Sequence, residues 1–227
     1  SSPCMAPALH LVYFDIEGVA EKVRLTLLLG GLPFEDERIN FKDWSDPAVK
    51  QRAPYGQLPF LTVDGGAPIT QSEAMLRYVG KLTKLYPEDF DKALKVDEIV
   101  GLQGDMARAI APSIYVGMRP QVYGYAEDLP EAERKEIQGR LRATLLTNDI
   151  PRFLGYFEEK LQQNGTGFFV GDCVTIADCV ILPQLRQLKS GRLDGIPADI
   201  VEGYPKLTEW YRMMMDIPCI KNHYEKH

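Results

Sequence analysis

A single polar, proline-bearing stretch, Leu85-Tyr86-Pro87-Glu88-Asp89, divides the chain into two parts of different periodicity. Before it, short runs of strand-forming residues alternate with helical patterns. Beyond it nearly all apolar residues recur at helical spacing, over 90–115, 131–163, 175–189 and 204–215. Such a stretch interrupts regular structure, because proline lacks an N–H and restricts the residue before it. The expected organisation is a small α/β domain over residues 9–83, a linker over 84–91 and an all-helical domain over 92–227. A chain of 227 residues can bury a sizeable core in this arrangement.

Within the first part, Leu9-His10-Leu11-Val12-Tyr13-Phe14 is rich in strand formers. Residues 19–29 read as a helix, with Val19, Val23 and Thr26 on one face and Leu27 beside them; Gly30-Gly31 supplies the stop. Residues 34–39 fit a short exposed strand, and 42–52 a short helix or loop. Residues 59–63 and 67–70 flank Asp64-Gly65-Gly66, a hairpin signal, and 73–83 read as a helix. The order β-α-β-α-β-β-α is that of a thioredoxin-like domain.

The formal charge of −6 argues against nucleic acid as a partner, since a phosphate-binding surface is normally basic. No apolar stretch is long enough to cross a bilayer, so no membrane partner is expected. The first residues lack the charged start and apolar core of a secretory signal, and Met5 is a candidate natural start. Cys4, Cys173, Cys179 and Cys219 form neither a C-x-x-C pair nor a metal-ligand spacing, so reduced thiols, a cytoplasmic location and no metal are expected. His10, His223 and His227 are too scattered for a zinc site or a histidine base. The last two fall in a polar tail, where solvated surface is the simplest reading.

Three places carry chemistry. A proline at a strand start marks an edge or special turn; a simple trans turn is the commoner reading of Leu58-Pro59 from the residues alone, while a cis bond there would leave the main chain of Leu58 able to pair with an extended peptide. Ser72 precedes a helical run as a natural N-cap, where the first N–H groups and the dipole bind a carboxylate. Tyr13 ends the first strand; a phenol there is commonly a half-buried packing residue, yet one donating to a thiolate would favour ionised sulfur. Thr175-Ile176-Ala177-Asp178 reads as a capping box, which is structural.

Tyr13, the segment Tyr55-Gly56-Gln57-Leu58-Pro59-Phe60-Leu61 and the segment Ile69-Thr70-Gln71-Ser72-Glu73-Ala74 together resemble the glutathione site of the cytosolic glutathione transferases that use a tyrosine. The resemblance spans roughly residues 9 to 220. It is most similar to the sigma class, with Asp43-Trp44 adding to the match. It implies the glutathione transferase fold, a thioredoxin-like domain followed by an all-α domain, and glutathione as cosubstrate with no metal required. It implies that Tyr13 donates to the glutathione sulfur and that Leu58, beside Pro59, pairs with the cysteinyl unit. Gln71 and Ser72 would hold the γ-glutamyl carboxylate, and Gln57, Trp44 and Lys50 the glycyl end, with Arg52 a substitute for Lys50. Asp105 would reach the ligand of a neighbouring subunit in a homodimer. Ile16, Val19, Arg108, Ala111, Pro112 and Tyr115 would line the electrophile pocket, although ordinary helix packing explains the last four equally well.

One departure bears on the chemistry. Many sigma members carry arginines in the loop after the tyrosine, where this chain has Glu17 and Val19. A negative charge there disfavours a nearby thiolate, so weaker thiol activation is expected. The implied function is conjugation of glutathione to soft electrophiles. The alternatives are a glutathione-dependent isomerase of the prostaglandin D synthase kind, or a non-catalytic structural relative. A thioredoxin-type redox role fails on the absent C-x-x-C motif.

Overall fold

The computed structural model describes residues 6–226, so the candidate start at Met5, Cys4 and His227 lie outside the described residues. The chain divides into two compact units. One comprises residues up to Ala93 together with those from Met215 onward; the other is Leu94–Met214.

The first unit is built on a four-stranded sheet in the order β2-β1-β3-β4. Strand β1 (Leu9–Phe14) is central, and Leu9, Leu11, Val12 and Tyr13 are buried. It pairs in parallel with β2 (Phe34–Ile39), Leu9 opposite Phe34 and Phe14 opposite Ile39. It pairs antiparallel with β3 (Phe60–Val63), Val12 opposite Phe60, and β3 turns through Asp64-Gly65 into β4 (Ile69–Thr70). A parallel pair needs a crossover, supplied by α1 (Glu21–Leu29). Helix α1 stops as its sequence signals: Gly31 adopts φ +63°, the Leu32 N–H donates to the Leu27 carbonyl and the Gly31 N–H to that of Leu28. The short helix α2 (Pro47–Gln51) is capped by Asp46, and α3 (Ser72–Leu82) packs against α1 through a face that buries Met75, Leu76 and Val79.

The second unit contains α4 (Phe90–Met118) from Leu94 on, then α5 (Glu131–Thr144), α6 (Ile150–Asn164), α7 (Ile176–Lys189) and most of α8 (Pro205–Asp216). The stretch 131–163, expected as one helix, is interrupted by a wider π-type turn at Leu145–Asp149. It lies just before Pro151, which cannot donate to the α-helical ladder. Helix α7 is the centre of this unit: Ile176, Cys179, Val180, Ile181, Leu182, Leu185 and Leu188 are all buried, and its polar Arg186, Gln187 and Lys189 gather near the C-terminal end. Phe157, Phe169 and Trp210 meet edge to face at 6.2 and 5.1 Å. Burying each such ring contributes roughly 1.5–3 kcal/mol over leaving it in water.

The capping box at Thr175 is formed: Asp178 Oδ2 accepts from the Thr175 N–H at 2.8 Å and Thr175 Oγ1 accepts from the Ala177 N–H at 3.3 Å. Residues 218–226 do not form a solvated tail. They make α9 (Pro218–Lys226), which packs on α1 and buries Ile220. The expectation of a solvated His223 is thereby corrected: its side chain is 9% exposed and its Nε2 lies 2.7 Å from Glu21 Oε1. No helix among the described residues is long and apolar enough to cross a membrane.

Candidate functional site

A cleft of about 110 Å³ opens on the first unit. Its walls come from three places: Val19 beyond β1, the segment Pro54, Tyr55, Gln57, Leu58 and Pro59 before β3, and Thr70, Gln71 and Ser72 at the start of α3. The sheet order brings them together, because β1 and β4 both flank β3. The Leu58–Pro59 bond is cis. Gln57 is exposed, Leu58 half-buried and Pro59 buried.

Gln71, not Ser72, occupies the cap position of α3; Ser72 is the first helical residue. Gln71 has φ +68°, a conformation that costs a non-glycine residue on the order of 1–3 kcal/mol and that gathers at functional sites. Its side chain makes no capping hydrogen bond, so the first turn of α3 presents its N–H groups uncapped by Gln71 at the cleft edge.

Tyr13 is 7% exposed, and its hydroxyl accepts the Val19 N–H at 3.4 Å. A phenol that accepts one hydrogen bond becomes a better donor of its own proton. Gly18, at φ +44°, carries the chain past the ring. Ile16 and Val19 are exposed on either side of it.

Trp44 packs with Leu58 and Val49 on the cluster Val12, Ile39, Ala53 and Phe60, and its ring meets Phe14 edge to face at 5.5 Å. The Lys50 ammonium stands 5.9 Å from the Trp44 ring centre, and its side chain runs beside Gly56. Arg52 is committed elsewhere: its guanidinium donates to both oxygens of Glu37 at 2.7 and 2.6 Å. That fork holds the Glu37 carboxyl below the usual carboxylate range and raises Arg52. Arg52 is thus tied to β2, whereas Lys50 lies between Trp44 and Gly56.

The cleft lining belongs wholly to the first unit. Asp105, Arg108, Ala111, Pro112 and Tyr115 lie along α4 in the second. There Arg108 donates to Asp105, both exposed, and Arg119 stacks over Tyr115 at 5.1 Å.

Two features escaped sequence reasoning. Tyr55 reaches the cleft with φ +57° and 83% exposure, in a segment whose only local signal is the flanking Pro54 and Gly56. Arg24 is fully buried beneath Tyr13, with its guanidinium carbon 5.8 Å from the ring centre. A charge set between the apolar Val23 and Leu25 was the available signal.

Residues 19–82 match the family described as glutathione S-transferase, N-terminal domain, and residues 123–227 that described as glutathione S-transferase, C-terminal domain. The chain is 32% identical over 215 residues to glutathione S-transferase 1 of Ascaris suum, covering 95% of this chain and 94% of that one. Among solved structures it is similar to a prostaglandin synthase D of Nilaparvata lugens, with TM-score 0.78 and 27% identity over 97% of this chain and 98% of that one. It is also similar to a monomeric glutathione S-transferase of the hookworm Necator americanus, with TM-score 0.75 and 26% identity over 97% of each chain.

Proposed function

The chain belongs to the glutathione S-transferase family, and on that premise we propose that it conjugates the glutathione thiolate to soft electrophiles at the cleft beside Tyr13. The observation that carries this reading is one juxtaposition. Gln57, Leu58, Gln71 and Ser72 line one cleft with Val19, whose N–H bonds the Tyr13 hydroxyl.

In this reading the α3 N-terminus, with Gln71 and Ser72, holds the γ-glutamyl carboxylate. The Leu58 main chain pairs with the cysteinyl unit, and Gln57, Trp44 and Lys50 hold the glycyl carboxylate. The thiol loses its proton to solvent, and Tyr13 donates a hydrogen bond to the resulting thiolate. Lowering a thiol near ~8.5 by about two units makes the thiolate the majority form at neutral pH and corresponds to about 2.7 kcal/mol. The sulfur then attacks the electrophilic carbon and the leaving group departs. Ile16 and Val19, beside Tyr13, would receive that electrophile. A sigma-like class, a cytoplasmic detoxifying role and a homodimer in which Asp105 serves the neighbouring ligand complete the proposal; the monomeric hookworm relative makes the oligomeric state worth measuring by sedimentation.

A second reading, glutathione-dependent isomerisation, is favoured by the likeness to the prostaglandin synthase D of Nilaparvata lugens. Both readings use the same thiolate and differ in the electrophile, so conjugation and prostaglandin D synthase assays run side by side separate them.

The test of the shared premise is Tyr13→Phe. Glutathione affinity should hold, while kcat/KM for 1-chloro-2,4-dinitrobenzene falls roughly a hundredfold, the scale of one lost transition-state donor. Unaltered activity would remove Tyr13 from the mechanism.

A further inference from the structure

Arg24 is the only fully buried arginine among the described residues, and a buried charge is costly unless its donors are met. Here they are met by groups that matter to the cleft. Its Nη1 donates to the carbonyls of Ile16 at 2.8 Å and Glu17 at 3.3 Å, and its Nη2 to that of Phe14 at 3.5 Å. These carbonyls belong to the loop that leaves Tyr13 and leads to Gly18 and Val19. The same guanidinium stands beneath the Tyr13 ring, within cation–π range. One side chain therefore holds both the phenol and the loop whose N–H meets its oxygen.

Arg24 is itself held from two sides. Its Nε donates to Asp36 of β2 at 2.9 and 3.1 Å, and Asp36 is shared with Arg38, which reaches on to Asp15. Its Nη1 also bonds Glu21 Oε2 at 3.1 Å. Glu21, wholly buried, offers its other oxygen to His223 of α9. An ionised carboxylate only accepts, so His223 Nε2 donates. Burial pushes the Glu21 carboxyl up, but the His223 and Arg24 contacts outweigh it and hold it below the ordinary range. The charged groups facing this chain of contacts are thus Glu21 and Arg24 on α1, Asp36 and Arg38 on β2, and Asp15 on the loop.

We propose that Arg24 and His223 are positioning residues for Tyr13, with α9 fixing the thiol-activating phenol through the relay His223–Glu21–Arg24. This rests on the role given to Tyr13 above. It adds that a side chain 202 positions away from Glu21 sets how well that phenol is aimed.

The experiment uses the full chain and compares the parent with His223→Leu, which removes the donor, and His223→Gln, whose amide can restore it. Glutathione affinity, kcat and the pH dependence of kcat/KM toward 1-chloro-2,4-dinitrobenzene are measured. His223→Leu should raise the apparent pKa of the bound thiol by about half a unit and lower kcat/KM roughly threefold below it, converging with the parent at high pH. Glutathione affinity should stay within about twofold, and His223→Gln should recover most of the loss. Arg24→Lys should move the same quantities further; because it can prevent folding, the His223 pair carries the decision. A His223→Leu profile that superimposes on the parent's overturns the relay, as does a loss that His223→Gln fails to recover. A Tyr13→Phe enzyme that keeps the parent's thiol pKa sinks the underlying assignment instead, so the two failures are told apart.

Discussion

The Tyr13 hydroxyl stands where a Cβ on Gly18 would lie 2.5 Å from it. The strand-end phenol and the glycine five residues on are therefore one feature: the loop folds over the ring because position 18 has no side chain.

Gly18→Ala should consequently impair catalysis more than binding. The positive φ costs an alanine about 1–2 kcal/mol, and the methyl group must push the phenol aside. The expected outcome is a fall of roughly tenfold or more in kcat/KM with glutathione affinity nearly kept. Titration of the binding constant beside steady-state kinetics decides it, and equal losses in both would contradict a steric effect on Tyr13 alone.

Asp178 anchors the helical unit more widely than its capping role requires. Its Oδ1 accepts from the Trp210 indole at 2.9 Å and from the Phe169 N–H at 3.4 Å, while Oδ2 takes the Thr175 N–H and hydroxyl. Asp178→Ala strands these donors in the core and should cost about 3–5 kcal/mol, read as a lower urea midpoint. A change under about 1 kcal/mol would mean that water replaces the carboxylate.

Stability should fall on the acid side in part through Glu37. The Arg52 fork is the largest influence holding its pKa down, with His10 at 2.9 Å adding to it. A depressed carboxyl contributes stability above its unfolded pKa and loses it as pH drops through the folded value. Glu37→Gln should therefore be less stable than the parent at neutral pH and converge with it in acid. Urea midpoints from pH 7 down to about 3 provide the check, and a constant gap would assign the loss to packing.

Much of this molecule was legible in local patterns. Strand β1 lies where its strand formers place it, and the hairpin signal at Asp64-Gly65 marks the turn between β3 and β4, whereas Gln57 and Gln71 were singled out by family resemblance and not by local pattern. Partners far apart in the chain were not legible. Nothing near Arg52 says that Glu37 will take both its donors, so the choice between Lys50 and Arg52 stayed open. His223 sits among Lys221, Asn222, Tyr224 and Glu225, and that polarity hides the one face, Ile220 with His223, that turns inward. Pro151 was visible, but a π-type turn upstream of it is one of several ways a helix absorbs a proline.

The return of α9 to α1 gives the sheet-bearing unit a discontinuous sequence. During translation its strands emerge early, whereas the segment that covers Glu21 is made only after the entire helical unit. A nascent chain therefore carries an uncovered carboxylate until synthesis has passed His223, and that interval is when chaperones would find the unit most open to them.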